Sequence, residues 1–319
     1  MLNKKLQTAQ KSLLLWYSTD ARSELPWRKT SNIYHIYLSE IMLQQTQVSR
    51  VEATYYPQFL KRFPTLKSLA ASSLEDVFSM WSGLGYYRRA KNLHATAQLV
   101  GSALPKTKEE LLQLPGIGKY TASAICSFGY KQIVSVVDTN IARVLARFFA
   151  KVDAKEKELW SLADAFLNIK SPTAHNLALM DLGAMVCLPK NPTCKVCPLH
   201  VECLGKDEAD KYYKKKNIVY ENKTLHYGIH VKNGSLAMQK STKGMYKGML
   251  ELLCVENPHV DDLIGGFKHS VTRFRLDVKV YRLKNITKNV HWIALDSLEN
   301  APISSLTQKA LRVYEGKLA

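Results

Sequence analysis

From the start of the chain to about residue 186, apolar residues recur every three or four positions. The pattern is interrupted at Pro and Gly and contains few β-branched runs. That spacing puts one apolar stripe on a helix, and it predicts helices over 2–18, 32–46, 48–62, 74–80, 86–101, 107–113, 118–128, 139–150, 156–168 and 173–185. The first of these gathers Leu2, Leu6, Ala9, Leu13 and Trp16 on one face. Beyond about 225 the texture changes to β-branched or alternating runs at 225–231, 236–239, 250–255 and 274–283, with Asn233-Gly234 as a hairpin turn. Between the two textures, Lys206, Lys211, Lys214, Lys215, Lys216 and Lys223 mingle with Asp207, Glu208, Asp210 and Glu221, the composition of a solvated linker. The expected fold is therefore mainly α over 1–205, a linker over 206–223, and a small α+β domain over 224–319. There is no internal repeat and no low-complexity tract.

Composition adds a partner. Apolar residues make up 46% of the 319, enough for sizeable cores, while 45 Lys and Arg against 27 Asp and Glu leave a net charge of +18. The surplus is spread over both parts: 25 basic and 15 acidic residues up to 205, and 20 and 12 after it. A surplus distributed over folded domains suits a polyanion, because neutralised phosphates release counterions; a merely soluble, Lys-rich protein is the alternative. No run of about 18 apolar residues is present, so no membrane helix is expected. Leu13-Leu14-Leu15-Trp16 is too short for the core of a signal peptide, which points to a cytoplasmic protein.

Four of the six cysteines are crowded together: Cys187, Cys194, Cys197 and Cys203, in a Cys-x6-Cys-x2-Cys-x5-Cys loop stiffened by Pro189, Pro192 and Pro198. Such a loop holds a metal group in a reducing compartment better than it builds a disulfide framework. Zinc is one candidate, but its structural sites usually pair two short knuckles and only one is present. One compact loop favours a [4Fe–4S] cluster. Cys126 and Cys254 lie apart and read as small apolar residues.

Leu111-x2-Leu114-Pro115-Gly116-Ile117-Gly118-Lys119-Tyr120 sets a Pro-Gly-x-Gly turn between two helical patterns. Gly116 and Gly118 allow a tight turn whose N–H groups open the next helix as an anion site, with Lys119 adding charge. An ordinary helix–turn–helix corner would read the same way. In 32–46, Ile33, Ile36, Tyr37 and Ile41 form a stripe that also contains Glu40 and Gln44. A carboxylate on an apolar face has its pKa raised, as a general acid requires, unless it reaches solvent from the stripe edge. Asp138 directly precedes a helical run and suits an N-cap.

The hairpin, the Asp some twenty residues after it and the four-cysteine loop together resemble the helix–hairpin–helix DNA glycosylase superfamily. Leu38-Ser39-Glu40-Ile41-Met42-Leu43-Gln44-Gln45-Thr46-Gln47-Val48, Gly83-Leu84-Gly85-Tyr86-Tyr87-Arg88-Arg89-Ala90 and Met180-Asp181-Leu182-Gly183-Ala184-Met185 are similar to the MutY family of adenine-specific mismatch glycosylases, almost continuously over 10–205. The resemblance implies two helical subdomains, a six-helix one at about 30–135 and a cluster-bearing one at about 1–29 and 136–205. It also implies one [4Fe–4S] cluster on the four cysteines and a monomer acting on double-stranded DNA with A:8-oxoG or A:G mispairs.

By the same resemblance, Glu40 protonates N7 of an extruded adenine. Asp138, supported by Asn140, stabilises or traps the oxocarbenium-like sugar, as the paired carboxylates of a retaining glycosidase do. Tyr120 stands where the similar endonuclease III carries a Schiff-base Lys, which implies a monofunctional enzyme. Gln45 and Tyr86 would fill the gap left by the extruded base, and Trp27 and Asp181 would border the adenine pocket. From 225 onward the resemblance is weaker and is to a Nudix-type lesion reader, carried by 244–249 and 267–276. There Val271-Thr272-Arg273 replaces the family's Phe-Ser-His, so Thr272 and Arg273 become the candidate contacts. The acidic helix of a Nudix hydrolase is missing, so no nucleotide hydrolysis is expected. An oxidised-pyrimidine glycosylase-lyase and a non-catalytic iron–sulfur DNA-binding protein are the alternatives.

Overall fold

The computed structural model describes residues 2–212, 219–242, 244–256, 258–286 and 289–316. Lys214, Lys215 and Lys216 of the expected linker lie outside the described residues. The chain forms two compact units, Met1–Glu52 with Ser102–Lys216 and Ala53–Gly101 with Asn217–Ala319. Among the described residues no helix is long and apolar enough to cross a membrane.

The first unit is helical. Its helices run over Leu2–Asp20, Ile33–Leu43, Lys108–Leu112, Lys119–Ala124, Thr139–Phe148, Glu156–Phe166 and Pro172–Met185. Starts are set by local chemistry: Asn32 accepts from the Tyr34 and His35 N–H groups, Thr107 from Glu110, Asp138 from Ile141, and Pro172 occupies a first-turn position. Thr139–Phe148 lies at the centre, turning Ile141, Val144, Leu145 and Phe148 into a core shared with Leu13, Phe128, Phe166, Leu179 and Leu182. The helix expected at 118–128 is not uniform, because Lys119–Ala124 passes into a π-type turn at Ile125–Gly129.

The second unit joins a helical block to the strands. Tyr56–Arg62, Leu66–Ala70, Leu74–Met80 and Arg88–Val100 pack around Phe59, Phe63, Phe78, Trp81 and Leu93, all at most 2% exposed. Its strands are β1 Glu221–Ile229, β2 Val231–Lys232, β3 Ser235–Lys240, β4 Leu250–Glu251, β5 Leu253–Cys254, β6 Leu263–Val271, β7 Phe274–Arg282 and β8 His291–Ala294. One sheet has the order β5-β1-β7-β6, with β1 and β7 parallel; the other runs β2-β3-β4 with β8 also on β3. Asn233 and Gly234, both at positive φ, close the β2–β3 hairpin as expected. The helix Ser305–Tyr314 buries Leu306, Ala310 and Val313 in the core with Val278 and Val280 of β7. The mixed sheets agree with the expected α+β class. β1 begins inside the stretch read as linker, because its first residues are polar and only their pairing with β7 makes them strand.

Candidate active site and metal-binding loop

Glu40 sits on the third turn of Ile33–Leu43, on the face that also buries Tyr37 and Ile41. It is 6% exposed, and its Oε2 accepts a hydrogen bond from the Tyr120 hydroxyl at 2.6 Å. Burial pushes the Glu40 carboxyl up to about 7; the Tyr120 bond pulls the other way, while the nearby Asp138 charge adds to the rise and Arg28 opposes it. Tyr120 belongs to the first turn of the hairpin's second helix, so the turn fixes the hydroxyl against Glu40. Burial and the two carboxylates push the phenol well above its ordinary range, which keeps it a donor.

Asp138 caps Thr139–Phe148, with Oδ1 accepting from the Ile141 N–H at 2.7 Å and Oδ2 from Asn140 Nδ2 at 3.2 Å. Burial raises its carboxyl above the ordinary value, and the hydrogen bonds and Arg143 oppose that rise. Asn140 is held in turn: its Oδ1 accepts from Arg143 Nη2 at 2.9 Å, and Arg143 also donates to the carbonyls of Gly183 and Cys187. Gly183 lies so close that a Cβ there would stand 2.7 Å from Asn140 Cβ. Only glycine admits this contact between Pro172–Met185 and the Asp138 helix.

Glu40, Tyr120, Asp138 and Asn140 line one cleft of about 1150 Å³ within the first unit, together with Trp27, Arg28, Gln45, Gly118, Lys119 and Trp160. The cleft thus presents a buried acid that is half protonated near neutrality and a second carboxylate held by fixed donors. Gln45 is exposed at its rim with φ +57. At the hairpin, Gly116 takes φ +76 and Gly118 is the N-cap of Lys119–Ala124. The Lys119 ammonium lies over the Trp160 ring, 4.2 Å from its centroid. Asp181 is fully buried between Arg22 and Arg28: Arg22 Nε donates at 2.9 Å and Arg28 Nη2 at 2.7 Å. Although burial opposes it, these guanidinium groups hold the Asp181 carboxyl below the usual range.

The cysteine loop follows the same central helices. Cys187, Cys194, Cys197 and Cys203 surround one cavity together with Arg147, Val186, His200 and Lys206. Arg147 Nη1 donates to Cys187 Sγ at 3.3 Å and to the Leu188 carbonyl at 2.6 Å. No disulfide joins any of the six cysteines. Burial raises the thiols of Cys194, Cys203 and Cys197, the last to about 12, so they become thiolates only against a strong cation. Among the described residues no three His, Cys, Asp or Glu side chains gather as ligands of a single ion. Four soft donors ringing one space, with a cation beside one sulfur, do fit a polynuclear metal group.

The HhH-GPD superfamily of base excision DNA repair proteins matches residues 38–166, the stretch that carries Glu40, the hairpin and Asp138. The adenine DNA glycosylase of Buchnera aphidicola subsp. Schizaphis graminum (strain Sg) is 36% identical over 339 residues, covering 95% of this chain and 97% of its own. This chain belongs to the adenine DNA glycosylase family. The human adenine DNA glycosylase is 40% identical over 218 residues, 63% of this chain and 40% of its own length. Among solved structures, a thermostable thymine-DNA glycosylase superposes on the glycosylase with a TM-score of 0.60 at 28% identity, over 65% of this chain and 99% of its own. An endonuclease III–DNA complex does so at 0.56 and 19% identity, which shows the shared fold.

The remaining candidates of the glycosylase lie in the second unit. Tyr86 is 43% exposed at φ +49 and directly follows Gly85, which like Gly83 is also at positive φ. Thr272, at φ +52, and Arg273 form the two-residue tip of the β6–β7 hairpin, where Val271 pairs with Phe274. Arg273 Nε donates to Glu221 Oε1 at 2.9 Å, and its guanidinium lies 5.3 Å from the Phe274 ring centroid. Asp181 does not line the cleft of the glycosylase; it anchors Arg22 and Arg28, which do. Trp160 and Arg143 had no sequence signal as site residues. The Arg22–Asp181–Arg28 cluster had one, a lone acid inside the apolar run Leu179-Met180-Asp181-Leu182.

Proposed function

We propose that this enzyme excises adenine mispaired with 8-oxoguanine or guanine in double-stranded DNA, and that it is monofunctional. The observation that carries the reading is the Glu40–Tyr120 pair: a buried carboxyl raised to about 7, in the same cleft as a second carboxylate that caps a helix. Glu40 gives its proton to N7 of the extruded adenine. The C1′–N9 bond then breaks with its electron pair leaving on the base, and the Asp138 carboxylate faces the cationic C1′, stabilising or trapping it. Water adds at C1′ and its proton returns to Glu40. Tyr120 keeps Glu40 oriented, and Asn140 keeps Asp138 ionised and aimed. A low-dielectric cleft with fixed donors makes such stabilisation strong.

The monofunctional reading is supported by the Tyr120 hydroxyl, which is committed to Glu40, and by the Lys119 ammonium resting on Trp160. The backbone N–H groups at Gly116, Gly118 and Lys119 receive a DNA phosphate. Gln45 and Tyr86, both held at positive φ at exposed positions, occupy the stack that the flipped base leaves; backbone strain of this kind is characteristic of working sites. Residues 1–205 act as the glycosylase domain. Residues 224–319, joined by the first residues of β1 from Glu221, form a Nudix-like lesion reader in which Thr272 and Arg273 at the hairpin tip approach the 8-oxoguanine strand. Cys187, Cys194, Cys197 and Cys203 hold one [4Fe–4S] cluster, which when bound ties the loop into a fixed, basic surface flanked by Lys190 and Lys195. The enzyme works as a cytoplasmic monomer. The test is adenine release, followed chromatographically, from duplexes carrying A opposite 8-oxoguanine, G, C or T. Release from the first two only is expected; release of a pyrimidine, or of adenine from A:T pairs at equal rate, overturns the assignment.

A further inference from the structure

The turn between Leu74–Met80 and Arg88–Val100 in the second unit is built to hold one exposed ring. Gly83, Gly85 and Tyr86 have φ of +86, +80 and +49, so three of the four residues 83–86 take a left-handed backbone. Around it, Trp81, Leu84 and Tyr87 are at most 5% exposed, while Tyr86 is 43% exposed. Arg89 lies beneath this turn and is only 8% exposed. Its guanidinium carbon is 5.5 Å from the Tyr86 ring centroid and 5.4 Å from that of Trp81. Nη2 donates to the Gly85 carbonyl at 3.0 Å and to that of Leu84 at 3.5 Å, and Trp81 Nε1 donates to the same Gly85 oxygen at 3.1 Å. One buried cation therefore fastens both the backbone that carries Tyr86 and the ring itself. Burial pushes its pKa down to about 10, which leaves it charged at neutral pH.

We infer that Arg89 is a positioning residue that holds the Tyr86 ring in the orientation in which it enters the DNA base stack. The inference rests on the reading of Tyr86 as the inserted side chain. An exposed tyrosine on a glycine-flanked turn would otherwise sample several rotamers, and each insertion would have to select one of them. A planar guanidinium that lies over the ring and donates to the turn's carbonyls removes that cost before DNA arrives. Lysine supplies charge without the planar fork.

The test is a double-mutant cycle on single-turnover adenine release from an A:8-oxoguanine duplex, using the full chain and its variants Tyr86→Ala, Arg89→Met and both together. Arg89→Met is expected to slow release on the order of tenfold, as loss of a cation–π contact made by a buried guanidinium would. In the Tyr86→Ala background it should cost almost nothing further, because the group it positions is gone. A duplex with 2-aminopurine beside the 8-oxoguanine should lose its Tyr86-dependent quenching equally in both single variants. If Arg89→Met costs the same factor with and without Tyr86, Arg89 acts on the fold and the inference is overturned. If Tyr86→Ala itself leaves release and quenching unchanged, the insertion reading fails first and takes the inference with it. Should Arg89→Met not fold, Arg89→Lys enters the same cycle, with partial loss in the native background and none beside Tyr86→Ala.

Discussion

Glu40→Gln should stabilise the protein at alkaline pH while disabling it. Gln has the same shape and still accepts the Tyr120 hydrogen bond, but it carries no ionisable carboxyl. In the unfolded chain Glu40 titrates at 4.5, and in the folded cleft at about 7, mainly because of burial. The folded state therefore holds the proton more tightly. This contribution to stability is fully present below the unfolded value and is lost as pH rises through about 7. The whole displacement corresponds to roughly 3 kcal/mol, most of which develops between about pH 5 and about pH 8. Native protein should thus lose ground against Glu40→Gln over that interval. The assay is urea unfolding of both proteins at the two pH values, where a slope typical of small domains turns the difference into roughly 1 M in midpoint. Midpoints that differ by the same amount at both pH values, or a native protein that gains on the variant as pH rises, would refute the account of a carboxyl strained by burial.

Asp138→Asn keeps a good N-cap side chain, so the unfolding free energy should hold within about 0.5 kcal/mol while base release falls by at least about a hundredfold. Gly183→Ala drives a methyl group against Asn140 Cβ, 2.7 Å away. It should cost about 1–3 kcal/mol in unfolding and slow base release, with the metal content of the purified protein unchanged. Cys197→Ser removes one of the four donors ringing the cavity. Iron, acid-labile sulfide and broad visible absorbance should all be lost together; zinc in the native protein, with no such absorbance, would contradict the cluster assignment.

Much of this was legible because apolar period carries so much information. Each long helix of the first unit announced itself by its stripe, and Glu40 was conspicuous as a carboxylate inside one. Short elements escaped. Leu66–Ala70 is less than two turns, β8 is four residues long, and β6 carries Gly265 and Gly266 in its middle, so none shows a sustained pattern. What could not be read at all was pairing across the chain. Tyr120 reaches Glu40 over a separation of 80 residues, and Arg22 reaches Asp181 over 159. The packing of Ala53–Gly101 with the C-terminal strands had no local signature, because a buried helix face looks the same whatever covers it. Lys119 illustrates the same limit: sequence reads a free cation beside a turn, but Trp160, forty-one positions on, supplies a ring for it.

The central claim is that Glu40 is the acid that makes adenine a leaving group. Its most direct test is the single-turnover rate of adenine release from an A:8-oxoguanine duplex, measured for native protein and Glu40→Gln across the neutral pH range. A general acid contributes about 10²–10⁴-fold. The native rate should fall as pH rises through about 7, and the variant should lie lower by about that factor with no dependence on pH in the same interval. A variant that releases adenine within a few-fold of the native rate, or that keeps the native pH dependence, contradicts the claim.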